Sequence, residues 1–378
     1  MKTAKAKTRN NNIDIIKGIA IILMVYGHTF GMAKDYIYLF HMPIFIFISG
    51  YCFNNFHGWD VPQAEHYFFS RIKRLIVPYM GYNIVFTLLT NFFIRINFYS
   101  DKEEFKMAVV PIQKAAQGLH EHLEAKDMIM ELYRVITLNS IPQMGSAGWF
   151  LIVLFYVCII HCLLIFVLHR IENKYLKWAA WIAVFVIMAI MTGMISDGLG
   201  MDAGIPMRHL EIFEVYTCFL IGAAVARYDL LKKLPGTVPV RAGLAVAAAV
   251  ILLFLLRFGT LEMSKCFIVN TFFLIAVTLL GYVLLDSVAE LLKRTALGKA
   301  LIKVGNHTIP ILFLHILSFK FVSLFYLLIT GQPLYLMASW PVIFQVPEWM
   351  CLIYTVVGVA LPLAGVRLYQ FCKDQFRM

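Results

Sequence analysis

Charge is scarce in this 378-residue chain, in which 15% of the residues are charged and 61% are hydrophobic. A water-soluble protein of this size cannot cover so much apolar surface, so the composition excludes that class and indicates a polytopic membrane protein. The 33 Lys and Arg residues outnumber the 22 Asp and Glu residues. In membrane proteins such an excess collects in cytoplasmic connections. We therefore do not interpret the net charge of +11 as affinity for nucleic acid, and we expect no nucleic-acid partner.

Cysteine is also sparse, with seven residues scattered along the chain. They form no CxxC pair and no Cys/His spacing typical of a metal site, so we interpret them as small apolar side chains and expect no metal. The sequence likewise lacks Gly/Ser linkers, low-complexity tracts and a clear internal repeat, which favours one domain over residues 1–378. Residues 1–12 form a basic tail that we expect to be cytoplasmic. No small-residue cleavage site follows it, so we expect no removed signal peptide.

Long apolar runs, in contrast, are abundant. Spans of about 20 apolar residues are needed to cross a bilayer, and ten segments qualify, near residues 13–33, 36–55, 75–97, 148–168, 177–196, 209–227, 241–258, 266–286, 305–329 and 348–370. Basic residues collect in alternate connections, which predicts that both termini are cytoplasmic. The expected fold is an all-α membrane helix bundle of about ten transmembrane helices. The polar connection 98–147 has helical periodicity and predicts short external helices.

The first two spans carry ionisable side chains at membrane depth, where such groups are costly and usually functional. Lys17 and His28 are eleven residues apart and so share one stripe of a helix, with Asp14 close to that stripe. A tight hairpin with its turn near residues 32–35 would bring His28 and His41 to the same depth. A neutral imidazole can take a proton from a hydroxyl, so both histidines are candidate general bases. Two alternatives stay open: histidines that only bond neighbouring helices, and a Lys17 that reaches the lipid headgroups.

Further candidate residues lie outside these two spans. Arg71 and Arg74, in the run RIKRLIVPY, are either a topology anchor or a phosphate clamp, since guanidinium groups match phosphate oxygens. Glu211 and Glu214 lie about one turn apart near the outer end of a span, and they either sit at the membrane interface or bind a polyhydroxyl acceptor. His315 lies about halfway across another span, which makes it a further site candidate.

Together these residues resemble the acyltransferase-3 family of integral-membrane acyltransferases. The family pattern D-x-x-[RK]-G-x-A … G-H … F-H-M-P-x-F-x-F-x-S-G is matched by Asp14, Lys17, Gly18, Ala20, Gly27, His28, Phe40, His41, Met42, Pro43, Phe45, Phe47, Ser49 and Gly50. Three later elements of the family match at Arg71 and Arg74, at Trp149 and Phe150, and at Gly305, Thr308 and His315. Much of the family has an Arg ten residues before the first His, where this chain has Lys17 and His28. The lysine version looks like the subgroup similar to fucose 4-O-acetyltransferases.

The resemblance implies transfer of an acyl group, with acetyl from acetyl-CoA as the expected donor, to a hydroxyl of a sugar or glycan at the outer face. It also implies a multi-pass protein of a bacterial inner or plasma membrane, in contact with lipid and without a permanently bound cofactor. Lys17, Arg71 and Arg74 would hold the CoA phosphates, and Lys17 would pair with Asp14. His28, with His41, would act as the base. The remaining expected substrate-binding residues are Trp149 and Phe150 in the pocket, Ser49 and Asn306 as oxyanion donors, and Glu211, Glu214 and His315 at the acceptor.

Two other functions fit the same residues. A transporter or flippase for a glycan intermediate would use the intramembrane charges as a substrate or proton path. A membrane scaffold or sensor would tolerate alanine at Lys17, His28 and His41 together. The acceptor, the acyl chain length, a covalent acyl-histidine as against direct transfer, and a homo-oligomeric state stay open at this point.

Overall fold

The structure is a computed structural model of the chain, and it describes residues 10–53, 61–113, 118–199, 205–228, 236–344 and 346–375. Within these residues the fold is helical and contains isolated bridges but no strand, which confirms the expected all-α class. Most of the predicted basic tail, residues 1–9, lies outside the described residues. The α-helices are α1 (Asn11–Gly27), α2 (Lys34–Tyr38), α3 (His41–Cys52), α4 (Val61–Arg71), α5 (Val77–Leu88), α6 (Thr90–Arg95), α7 (Glu103–Gln113), α8 (Ala125–Ile136), α9 (Trp149–Leu168), α10 (Lys174–Ser196), α11 (Met207–Tyr228), α12 (Val238–Leu255), α13 (Thr271–Leu292), α14 (Ala296–Asn306), α15 (Thr308–Thr330) and α16 (Glu348–Gln375).

Seven helical segments of the described chain are long and apolar enough to cross a membrane. They correspond to the last seven predicted spans and are Gln143–Leu168, Lys174–Ser196, Met207–Tyr228, Val238–Phe258, Thr271–Leu292, Thr308–Thr330 and Glu348–Gln375. The first three predicted spans are shorter here. α1 has 17 residues and α3 has 12. The third predicted span, 75–97, is divided among the end of a π-helical turn at Ile72–Ile76, α5 and α6. The count of ten and the cytoplasmic position of both termini stay predictions.

The connection between α1 and α3 is longer than the predicted tight turn. α1 ends at Gly27 with His28 as its C-cap, the short helix α2 follows, and α3 begins at His41. The Tyr26 hydroxyl and the Met32 N–H both donate to Oε1 of Glu348, at 2.8 and 3.0 Å, and so attach this connection to α16. The two histidines therefore flank the connection at the ends of their helices. They are close enough for a charge on one ring to be felt at the other.

The backbones of α1 and α14 touch where both helices have glycine. A Cβ on Gly18 would overlap the carbonyl oxygen of Leu301, and a Cβ on Gly305 would overlap that of Asp14. Any larger side chain would hold the helices apart, because the obstacle on each side is backbone and cannot rotate away. The glycine pair therefore fixes the position of α1, which carries Lys17.

A second glycine pair joins α3 to α11. A Cβ on Gly50 would overlap the carbonyl oxygen of Phe219, and a Cβ on Gly222 would overlap that of Phe47. The family pattern places one of these glycines, Gly50, at the end of the F-x-F-x-S-G run. Its role in the fold is thus close backbone contact, which positions the helix that begins at His41.

The polar connection 98–147 contains α7 and α8, in agreement with the short helices expected there, while residues 114–117 lie outside the described part. Phe105 and Val109 of α7 pack on Ala338, in the segment between α15 and α16. Lys320, which is fully buried in α15, donates from Nζ to the carbonyl oxygens of Met337 and Ser339 at 2.9 and 2.7 Å. α7 and this segment therefore form one layer over the same end of the bundle. The external position of that layer stays a prediction.

Candidate active site

His28 is held by its own helix in one tautomer. Its Nδ1 lies 2.9 Å from the carbonyl oxygen of Met24. A carbonyl oxygen can only accept, so Nδ1 carries the proton in the neutral ring and Nε2 keeps a lone pair. The half-buried ring is thus arranged to accept a proton from a neighbouring hydroxyl.

His41 and His315 repeat this arrangement in fully buried positions. Nδ1 of His41 lies 2.9 Å from the carbonyl oxygen of Ile37, and Nδ1 of His315 lies 2.9 Å from that of Leu312. The ring of His315 packs on the ring of His28 with centroids 5.0 Å apart. Among the described residues, Nε2 of His315 has no hydrogen-bond partner. The structure therefore joins His28 and His315, which the sequence analysis had assigned to different parts of the site.

Charged and aromatic residues surround this histidine cluster (His28, His41 and His315). The Tyr38 ring lies 4.8 Å from the His41 ring, centroid to centroid. Lys34 and Glu262 are both within electrostatic range of His28. Lys34 lies 5.1 Å from the Tyr38 ring centroid, and Glu262 pairs with Lys265 at 3.0 Å. Nothing in the sequence distinguishes Lys34, Tyr38 and Glu262 as site residues, because each is typical of an ordinary polar connection.

Lys17 and Asp14 form an ion pair at the opposite end of α1. Nζ of Lys17 lies 2.8 Å from Oδ1 of Asp14, and the exposed fractions of the two side chains are 29% and 4%. The lysine can therefore meet a ligand while the carboxylate holds it. The expected pairing of these two residues is present in the structure.

Asn306 lies at this Lys17 end as well. It follows Gly305, whose Cα touches the backbone of Asp14. Asp14 and His28 are separated by fourteen residues of α1, roughly 21 Å at 1.5 Å per residue. Asn306 is therefore far from the histidine cluster, which argues against its expected role as an oxyanion donor beside His28. The sequence could not reveal this, because it does not say which turn of α1 the end of α14 contacts.

Arg71 and Arg74 lie near the end of α3 that is remote from His41. Arg71 ends α4 with its guanidinium carbon 4.7 Å above the Tyr67 ring centroid, and that ring packs at 5.1 Å on Phe53. Phe53 caps α3, twelve residues after His41. Arg74 is exposed and belongs to the π-helical turn Ile72–Ile76, a conformation that is rare and frequent at functional sites. The basic pair and the histidine cluster are thus separated by the length of α3, roughly 18 Å.

Trp149 and Glu211 are joined through an arginine that the sequence analysis did not select. The guanidinium carbon of Arg208 lies 6.0 Å from the Trp149 ring centroid, and its Nη1 pairs with Oε2 of Glu211 at 3.1 Å. Glu214, one turn further along α11, is buried, and its Oε1 has no hydrogen-bond partner in the described part of the chain. The two glutamates therefore differ: Glu211 is held by a cation, and Glu214 is available to a hydroxyl.

Phe150 packs against α3, and Ser49 belongs to that helix. The Phe150 ring contacts that of Phe45, one turn after His41, with centroids 6.1 Å apart. Phe150 therefore lines the bundle near the histidine cluster. The Ser49 hydroxyl donates to the carbonyl oxygen of Phe45 at 2.9 Å. Because this bond uses its only proton, Ser49 would have to break it in order to serve as an oxyanion donor.

The comparisons with known proteins give one match. A family model described as an acyltransferase domain, Acyl_transf_3, matches residues 10–367. No curated protein and no solved structure matches the chain. The matched range is nearly the whole chain and includes both the histidine cluster and the Lys17 end. The narrower likeness to fucose 4-O-acetyltransferases stays a prediction. With several apolar helices long enough to cross a membrane, the chain belongs to the acyltransferase-3 family of multi-pass membrane proteins.

Proposed function

We propose that this protein is a membrane O-acyltransferase that moves an acetyl group from acetyl-CoA to a hydroxyl of a sugar or glycan. The observation that carries the proposal is the His28 ring, whose Nδ1 is bonded to the Met24 carbonyl at 2.9 Å and whose Nε2 is left to accept a proton. Membership of the family supports the reaction class. The distribution of basic residues supports a cytoplasmic donor side and an extracytoplasmic acceptor side. A bacterial plasma membrane completes the proposal.

His28 acts as the general base in the proposed reaction. Nε2 takes the proton of the acceptor hydroxyl as the oxygen attacks the thioester carbonyl, and the oxyanion of the tetrahedral intermediate collapses with cleavage of the C–S bond. The imidazolium then returns the proton to the departing thiolate, so that free CoA and an ester are formed. His41 and His315 exclude water on one side and hold the His28 ring in place.

The donor lies along α1 in this scheme. Lys17 and the Arg71–Arg74 pair hold the phosphates of CoA at one end, since cations and guanidinium forks match phosphate oxygens. Lys17 and His28 are separated by eleven residues, roughly 16 Å along the helix. The extended pantetheine arm can span that distance, so the thioester would arrive at the histidine cluster while the nucleotide stays outside.

Purified protein in liposomes, supplied with labelled acetyl-CoA on either side, tests the function. We expect CoA release that increases with a sugar acceptor and places the label on that acceptor. A glycan transporter would neither bind nor hydrolyse acetyl-CoA. If the protein neither binds nor hydrolyses acetyl-CoA supplied on either side of the membrane, the transporter function replaces the proposal.

Replacement of Lys17 tests the donor end. We expect Lys17→Met to raise the KM for acetyl-CoA by about tenfold, the equivalent of ~1.4 kcal/mol of binding free energy, because a phosphate loses its cation. Lys17→Arg keeps the charge and should restore most of the affinity. Lys303→Met, at an exposed position of α14, is the matched control and should leave the KM unchanged. An unchanged KM in Lys17→Met would leave the lysine with only its ion pair to Asp14.

A further inference from the structure

The helix α8 has an apolar stripe that no other part of the described chain covers. Ile129, Met130, Tyr133 and Ile136 are exposed by 68%, 46%, 61% and 51%. At 3.6 residues per turn, Ile129, Tyr133 and Ile136 fall within about 60° of one another around the helix, and Met130 lies beside them. A single exposed apolar side chain is ordinary in a folded protein. Four on one twelve-residue helix form a patch that indicates a partner.

The opposite edge of α8 is polar. Asp127, Glu131 and Arg134 also fall within about 60° of one another, on the far side of the helix from the stripe. Nη1 of Arg134 pairs with Oε1 of Glu131 at 2.6 Å, and both side chains are partly exposed. Val135, between the polar edge and the stripe, is fully buried. The helix therefore has three faces: one against the bundle, one apolar and uncovered, and one polar.

Hydrogen bonds beyond its two ends place α8 alongside α5 and α6, which are separated only by Leu89. Before α8, Nδ2 of Asn91 donates to the carbonyl oxygen of Leu123, and Oδ1 accepts from the N–H of Leu123, both at 2.8 Å. After α8, the carbonyl oxygen of Ser140 accepts from the Tyr79 hydroxyl at 2.6 Å. Tyr79 and Asn91 are roughly 18 Å apart along a helix, which is also about the length of α8. The helix α8 therefore runs side by side with α5, in the opposite direction.

The segment to which α8 is tied has the composition of a membrane span. Residues 75–94 include no Asp, Glu, Lys or Arg, and about 20 such residues are long enough to cross a bilayer. Leu88 and Phe92 in this segment are themselves more than half exposed. Both points of attachment, Tyr79 and Asn91, belong to the uncharged segment. The hydrogen bonds therefore hold α8 at the depth of a membrane-spanning segment.

We propose that the stripe of α8 (Ile129, Met130, Tyr133 and Ile136) is a lipid-contacting surface, immersed in the acyl chains of the bilayer beside α5. In hydrocarbon these side chains lose nothing, whereas in water they would form an uncovered apolar patch. The polar edge lies on the opposite side of the helix and faces water, the arrangement of an amphipathic helix at a membrane. The sequence predicts external helices in this connection, and the inference moves α8 into the bilayer. It does not depend on the acyl-transfer reaction.

Acyl chains fit this surface better than a second copy of the chain does. Helices that associate within a membrane approach closely through small residues such as Gly, Ala and Ser. The stripe has none of these, and its four side chains are all large. It also lies on a helix that packs beside a segment with its own exposed apolar residues, Leu88 and Phe92. Lipid can cover both helices without any close backbone contact.

Site-directed spin labelling tests this surface directly. The exposed Cys52 and Cys372 are replaced with serine, and a spin label is attached to Tyr133→Cys in lipid nanodiscs. Asp127→Cys, at the polar edge of the same helix, is the matched control. Oxygen concentrates in hydrocarbon, while a nickel chelate stays in water. We expect the label at position 133 to collide more often with oxygen than with the chelate, and the label at position 127 to show the reverse.

Two results of this experiment would overturn the inference. More frequent collision with the chelate at position 133 would place the stripe in water. Protection of position 133 from both reagents would show that protein, such as a second copy of the chain, covers it.

The melting temperature in nanodiscs gives an independent measurement. Ile129→Gln should lower it, because an amide enters hydrocarbon where it finds no hydrogen-bond partner. Met107→Gln, the same kind of change at an exposed position of α7, should leave it unchanged. An unchanged melting temperature in Ile129→Gln would contradict contact between the stripe and lipid.

Discussion

Replacement of His28 with alanine should lower kcat for acetyl transfer by about 10²–10⁴-fold, the range in which a positioned general base contributes. The thioester would still reach the histidine cluster, so the affinity for acetyl-CoA should change little. Single-turnover release of CoA from the purified variant, beside direct binding of acetyl-CoA, separates these two quantities. His28→Gln should be as inactive as the alanine variant, because an amide does not take up a proton near neutral pH.

His307 is the matched control for this experiment. Its Nδ1 lies 2.8 Å from the carbonyl oxygen of Lys303, the same hydrogen bond to the preceding turn that His28 makes. It follows α14 directly, at the end of the bundle where Asp14 and Lys17 lie. His307→Gln should therefore keep the transfer rate. Full activity in a folded His28→Ala protein would contradict the proposed base.

Contacts within one helix could be predicted from the sequence, because they depend on spacing alone. Asp14 and Lys17 are three residues apart and form the expected ion pair at 2.8 Å. The last seven spans follow from length and apolar composition in the same way. The first predicted spans are longer than the helices of the structure. A hydropathy pattern does not show that α1 ends at Gly27 or that the short helix α2 lies between α1 and α3.

Contacts between helices could not be predicted in this way. His28 and His315 are far apart in the chain, and no periodicity shows that their rings lie 5.0 Å apart. For the same reason, the sequence does not show that Asn306 lies beside Asp14 and far from His28. Asn83 and Asn91 likewise cannot be told apart from the sequence. Whether an amide finds a partner depends on which neighbouring segment reaches it. Asn91 hydrogen-bonds both backbone groups of Leu123, whereas the buried Asn83 amide has no hydrogen-bond partner among the described residues.

The glycine contact between α1 and α14 should tolerate no larger side chain, because backbone stands where the new Cβ would lie. We expect Gly305→Ala to lower the melting temperature sharply and to reduce the yield of folded protein, because the new Cβ overlaps the carbonyl oxygen of Asp14. Overpacking of this kind costs about 1–3 kcal/mol, and more where backbone must move. Separation of the two helices would also displace Lys17, so the KM for acetyl-CoA should rise in any protein that folds. Thermal unfolding in nanodiscs and donor kinetics measure both effects.

Gly243→Ala is the same chemical change at a position that differs only in its surroundings. Gly243 lies in α12, and nothing stands within 4 Å of a Cβ built on it. Alanine stabilises an open helical position by about 0.5–1 kcal/mol relative to glycine, so this variant should unfold at the same or a higher temperature. A lower melting temperature for Gly305→Ala and an unchanged or higher one for Gly243→Ala would show that close backbone contact, and not helix propensity, explains the glycine at position 305. Small and equal changes in melting temperature would mean that α14 can move away from α1 at little cost. The glycine contact would then not be what positions Lys17.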